Sequence, residues 1–136
     1  MIRILILILF LTGSNSSFAS TVDPAITTLF QLVNKRLSYM EDVARYKWIK
    51  NIPIEDQQRE IEVIRAAVNN AGNFDLEPQS TRVFFEQQID AAKEIQQAWF
   101  NQWNSQQPPR SSIDLKTQIR PQLLSLGNQI VRQIQL

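Results

Sequence analysis

Arg36 and Lys47 stand eleven residues apart in a segment whose apolar residues recur at helical spacing, and Asp56, Arg59 and Glu60 follow at i, i+3 and i+4. On a helix, eleven steps of about 100° return to nearly the same face, so the two cations border one apolar stripe about 16 Å apart along the axis. Gln96 falls in a second stripe, one turn after Ala92 and before Trp99, and Arg120 adjoins a third. Each has an ordinary explanation: long cationic side chains snorkel from the edge of a core, Arg59 pairs with Asp56, and Gln96 bonds a neighbouring helix. Taken together that explanation weakens, because burying several cations and an amide costs several kcal/mol unless partners are present. Arg36, Lys47, Arg59 and Arg120 outnumber the carboxylates of Asp56 and Glu60 by two. A small dianion balances that excess.

The elements that must position these groups read as helices. Asp23-Pro24 is an N-cap followed by proline at the first helical position, and Leu29, Val33, Leu37, Met40 and Ala44 recur at three- and four-residue steps. A long first helix is expected to about Lys50. Pro53 interrupts it, and Asp56 caps a second helix whose apolar residues Ile61, Ile64, Ala67 and Val68 end near Asn70-Ala71-Gly72. After a loop around Asn73 to Gln79, a third helix carries Phe85, Ile89, Ala92, Trp99 and Trp103 on one stripe. Ser105 to Ser112 reads as a linker. A fourth helix sets Ile119, Leu123, Leu126, Ile130 and Ile134 in register, with Pro121 tolerated early or as a kink. The amides after Gln96 read as a solvated helix face, and the tryptophans as core and rim packing rather than a base-stacking platform. No strand alternation, repeat or glycine-rich phosphate loop competes. The expected fold is all-α, a helical bundle with a long first helix and the active site enclosed between helices.

Composition narrows the chemistry. The 136 residues, 43% of them apolar, suit one domain with a real core. Residues 1–19 read as a signal peptide: Arg3 is the positive segment, Ile4 to Leu11 the apolar run, and Ser17-Phe18-Ala19 a cleavage site before Ser20. An apolar run that short cannot cross a hydrocarbon core of about 30 Å. The domain is therefore expected over residues 20–136, in the periplasm or secreted, with no stable membrane association after cleavage near Ala19-Ser20. Cleavage removes one cation of 14 and no acid, leaving 13 against 13. That balance argues against a nucleic-acid partner. With no Cys and no His, disulfides, thiol nucleophiles, the common triads and most zinc sites are excluded.

Arg36, Lys47-Trp48, "PIEDQQRE" from Pro53 to Glu60, "STRVFF" from Ser80 to Phe85 and "IRPQLLSLGNQI" from Ile119 to Ile130 together resemble the AroQ-type chorismate mutases, specifically their exported gamma class. The similarity covers about residues 25–130, and its most specific part is the Arg-x10-Lys-x8-Asp-x2-Arg spacing. The resemblance implies an isomerase that converts chorismate to prephenate, towards phenylalanine and tyrosine, by a [3,3] rearrangement without a cofactor. It implies that Arg36 and Arg59 hold substrate carboxylates, that Lys47 and Gln96 donate to the ether oxygen, and that Glu60 and the Asp56 region receive the ring hydroxyl. In the cytosolic alpha class a further arginine comes from the partner chain's N-terminal helix, but here no Arg or Lys lies between Ser20 and Lys35. Arg120 matches the position from which the gamma class supplies that cation within its own chain. Each site is then built within one chain, even in a homodimer. The position that offers a hydroxyl in some relatives is Ala92 here. Gamma-class chains usually continue for several tens of residues beyond the position of Leu136, so this domain is expected to be C-terminally short. The competing reading is a non-catalytic periplasmic all-helical protein that binds an anion or another protein.

Overall fold

The computed structural model describes residues 23–135, and the signal peptide expected over residues 1–19 lies outside them. Every regular element among the described residues is helical. Helix α1, Pro24–Ser38, starts where the Asp23 carboxylate accepts the Ala25 N–H at 2.8 Å, with Pro24 in the first turn. The first helix runs as far as expected but in two segments, with α2 at Met40–Ile49. Ser38 Oγ donates to the Lys35 carbonyl at 2.8 Å, a local bond that competes with the helical ladder beside the break at Tyr39. Tyr39 keeps right-handed helical angles, φ −76° and ψ −7°.

Asn51 ends α2 in the left-handed region at φ 54°. The Ile52 N–H bonds the Lys47 carbonyl at 2.8 Å and the Asn51 N–H bonds the Trp48 carbonyl at 3.2 Å, the pairing of a Schellman cap. Helix α3, Gln57–Ala71, is capped by Asp56, whose Oδ1 accepts the Arg59 N–H at 3.1 Å. A 3₁₀ turn, Gly72–Phe74, leads to α4, Pro78–Ser105, where the Glu77 carboxylate accepts the amides of Gln79 and Ser80. Those bonds hold the Glu77 carboxyl below its usual range. Beyond Ser105, the last residue of α4, the linker carries no helix. It ends in a π-helical turn, Leu115–Ile119, capped by Asp114 through the Thr117 N–H at 2.7 Å, and α5, Arg120–Ile134, continues from it. Pro121 sits in the first turn of α5, directly after the π turn.

Helix α1 packs on α5, α3 on α4 and α5, and α2 on α4 and the π turn. Two core clusters result. One joins Met40, Val43, Ala92, Leu115 and Ile119; the other joins Ala67, Ala71, Phe85, Ile130 and Val131, with Leu29, Leu32 and Val33 of α1 against it. Fully buried side chains such as Phe85 and Ile130 each contribute about 1.5–3 kcal/mol of burial. Trp48 meets Phe100 and Trp103 edge-on at centroid distances of 5.0 and 5.8 Å, so these aromatic rings pack against one another. Gln97 and Gln102 bond Asn101 and Gln106 along the exposed face of α4, as a solvated face would.

Gly127 lies inside α5, and a Cβ there would meet only the Phe85 ring, at 3.7 Å, an ordinary contact. Gly127→Ala is expected to stabilise the protein by about 0.5–1 kcal/mol through lost backbone freedom in the unfolded chain. Thermal unfolding checks this. A lowered midpoint would mean that the Phe85 ring has no room to give.

Candidate active site

Arg36 and Lys47 occupy the last turns of α1 and α2, where the helix dipole favours cations. Asp56 caps α3, Arg59 and Glu60 lie in its first turn, Gln96 is in mid-α4, and Arg120 opens α5. All seven line one cavity of about 130 Å³, walled also by Met40, Val43 and Leu115 from one core cluster and Ala67 and Phe85 from the other. One water needs about 10–15 Å³ on this scale, so the space suits a small organic acid, not a polymer. Lys93 and Glu62 line it too. Sequence reasoning missed both, because single charges flanking a stripe usually face solvent. The signal was that Lys93 precedes Gln96 by one turn. With them the wall holds five cations against three carboxylates, still an excess of two positive charges.

Arg36 is 5% exposed, and its Nε and Nη1 have no hydrogen-bond partner among the described residues. Burial first, and the Arg59 charge second, lower its pKa below the ordinary arginine value. It still carries its charge at neutral pH. Lys47 is 6% exposed, with Nζ donating to the Ile54 carbonyl. Burial lowers its pKa most; Asp56 and Glu60 oppose that shift and Arg120 adds to it.

The expected side-chain pair between Arg59 and Asp56 does not form. Asp56 Oδ1 is committed to the Arg59 backbone N–H as an N-cap, and its Oδ2 accepts from Arg120 Nη2 at 3.2 Å. The Arg59 guanidinium instead reaches Glu62 at 3.2 Å, one turn along α3. Asp56 thus ties the start of α3 to the start of α5. Glu60 accepts the Asp56 N–H at 3.4 Å and pairs with Lys93 at 3.4 Å. Lys93 pairs in addition with Asp90 at 3.3 Å. Burial pulls the Lys93 pKa down, but Asp90 and Glu60 outweigh it and leave the value raised.

Gln96 is 4% exposed. Its Nε2 donates to the Ala92 carbonyl at 3.0 Å and lies 3.7 Å from Met40 Sδ, while Oε1 has no partner among the described residues. One N–H therefore faces only a thioether, a weak acceptor that an oxygen displaces. Chemically, the site offers guanidinium forks from three helices, a buried ammonium and a buried amide, and among the described residues its wall contains no nucleophilic hydroxyl or thiol. Such an arrangement has the charge and donors to match a dianion and charge developing on it.

The sequence profile of the family described as chorismate mutase type II matches residues 27–97, more than half of the chain and six of the seven residues above. The chain belongs to this family. A secreted chorismate mutase of Yersinia pestis is 38% identical over 103 residues, 76% of this chain and 55% of that protein. A monofunctional chorismate mutase of Enterobacter agglomerans is 32% identical over 123 residues, covering 89% and 67% of the two chains. The crystal structure of a chorismate mutase from Burkholderia thailandensis superposes with a TM-score of 0.80 at 35% identity, over 82% of this chain and 72% of that one. The chain thus spans little more than half the length of the Yersinia chorismate mutase. Arg120 lies outside the stretch that matches the chorismate mutase profile, and the fold brings it to Asp56 across 64 residues.

Proposed function

We propose that this chain converts chorismate to prephenate in the cavity lined by Arg36, Lys47, Arg59, Gln96 and Arg120. The observation that carries the reading is Arg36: a buried guanidinium whose Nε and Nη1 lack protein partners, in a wall with two excess positive charges. Leaving such donors unmet is costly, and a carboxylate satisfies them. Chorismate is a dianion. The names of the Yersinia and Enterobacter relatives support the same substrate.

The rearrangement breaks one C–O bond and forms one C–C bond in a single cyclic shift of electrons, with no proton transfer and no covalent intermediate. It requires the enolpyruvyl arm held over the ring and donors for the negative charge growing on the ether oxygen. Arg36 and Arg59 hold the carboxylates, with Arg120 as a third guanidinium fixed by Asp56. Lys47 has one of its three N–H groups on the Ile54 carbonyl, leaving two for the ether oxygen. Gln96 turns its second amide N–H from Met40 Sδ to the same oxygen. Glu60 receives the ring hydroxyl. Turnover of chorismate by the purified chain, without added cofactor, tests the reading; binding without prephenate would favour a non-catalytic anion-binding protein.

Export to the periplasm or medium, with cleavage near Ala19-Ser20, belongs to the same proposal. It rests on residues 1–19 and on relatives named as secreted. No helix among the described residues is long and apolar enough to cross a membrane. N-terminal sequencing of the exported product would check the cleavage site.

Each site uses residues of one chain, in a monomer or a homodimer. Mixing inactive Arg36→Ala chains with inactive Arg120→Ala chains is therefore expected to restore no activity under conditions in which subunits exchange. Substantial recovery would require a site shared between chains.

A further inference from the structure

Glu60 on α3 is held by Lys93 on α4, a second charged residue of the same cavity wall. Within its own helix its carboxylate has one long bond, to the Asp56 N–H at 3.4 Å. Its anchor on another helix is Lys93 of α4, thirty-three residues away, whose Nζ lies 3.4 Å from Oε2. Lys93 is tethered in turn by Asp90 at 3.3 Å, one turn earlier on α4. The pair is partly shielded, with side-chain exposures of 31% and 23%, so salt screens it less than a pair in open solvent. Of the other cations of the wall, Arg120 is engaged by Asp56, Arg59 by Glu62 and Lys47 by the Ile54 carbonyl.

We propose that Lys93 is a positioning residue for Glu60: its ammonium, steered by Asp90, fixes the Glu60 carboxylate in the wall facing the bound ligand. The proposal rests on the functional reading above, in which Glu60 receives the ring hydroxyl. A glutamate has three rotatable bonds, and an acceptor that must be immobilised on binding loses affinity for that reason. Because the hydroxyl contact is made in both substrate and transition state, the loss on freeing Glu60 falls on KM rather than kcat.

The test is a double-mutant cycle on Lys93→Met and Glu60→Gln, with Lys93→Arg as the conservative variant, reading kcat and KM for chorismate. Lys93→Met is expected to raise KM by about threefold to fivefold with kcat within about twofold, and Lys93→Arg to restore most of the loss. In the Glu60→Gln background Lys93→Met should add almost nothing, since the group it positions no longer carries charge. An unchanged KM in Lys93→Met would overturn the proposal, and so would the same rise in both backgrounds, which would make Lys93 a general cavity charge. Calorimetric titration of the same chains with chorismate reads the coupling independently of turnover. An unaltered chain that neither binds nor turns over chorismate overturns the functional reading and this proposal together; turnover without coupling overturns the proposal alone.

Discussion

Arg36→Met is expected to lower kcat/KM for chorismate by about 10²- to 10⁴-fold while raising the thermal midpoint of the free protein. The loss follows from two charge-assisted N–H contacts of about 1.5–3 kcal/mol each, removed from a buried guanidinium. The gain follows from the geometry of the unliganded side chain. Arg36 is buried with two unmet donors beside Arg59, and its charge is penalised enough to lower its pKa. Methionine fills similar volume without that penalty, which for buried unsatisfied donors is about 1–3 kcal/mol. In a domain this size each kcal/mol moves the midpoint by about 4 °C. A structural arginine would show the reverse, a lower midpoint with activity preserved, and that pair of results would remove Arg36 from the site.

Gln96→Glu is expected to turn a pH profile that is flat from about pH 4 to 8 into one that falls as pH rises. The wild-type amide donates at any ordinary pH, whereas a carboxyl donates only when protonated. Burial at position 96 raises the new group's pKa, and the Lys47 ammonium lowers it, so the fall tracks whichever value results. An oxyanion donor is worth about 10²- to 10³-fold, which sets the drop between the acid limit and pH 8. A flat variant profile, with the side chain shown to titrate in that span, would return Gln96 to a buried structural amide. Lys47 adds a second fall on the same alkaline side. Its ammonium must be charged to donate, and its pKa is lowered, so activity falls at a lower pH than an ordinary lysine would dictate. Between that lowered value and the ordinary lysine range the unfolded chain binds more protons than the folded one, so stability there rises with pH.

Local chemistry made most of the fold legible. Asp23-Pro24 and Asp56 announced helix starts because their carboxylates serve the first free amides, and both do so here. Three-residue and four-residue spacing put Gln96 on one apolar stripe and Arg36 and Lys47 at the border of another, and all three are buried. What stayed hidden depends on contacts distant in the chain or on competition between partners. The Asp56–Arg120 pair joins residues 64 apart, and the capping duty of Asp56 displaced the local pair with Arg59 that spacing suggested. The π turn at Leu115–Ile119 changes the hydrogen-bonding step over five residues, a departure too short to leave a periodic trace. The link between Lys93 and Glu60 exists only through the packing of α3 on α4.

The most direct measurement of the central claim is the fate of chorismate incubated with the purified chain beginning at Ser20, followed by its absorbance and by chromatography of the product. The unaltered chain is predicted to form one prephenate per chorismate consumed, with no added metal or cofactor, and Arg36→Met to abolish nearly all of that rate. Chorismate that binds in the cavity but is recovered unchanged would contradict the account.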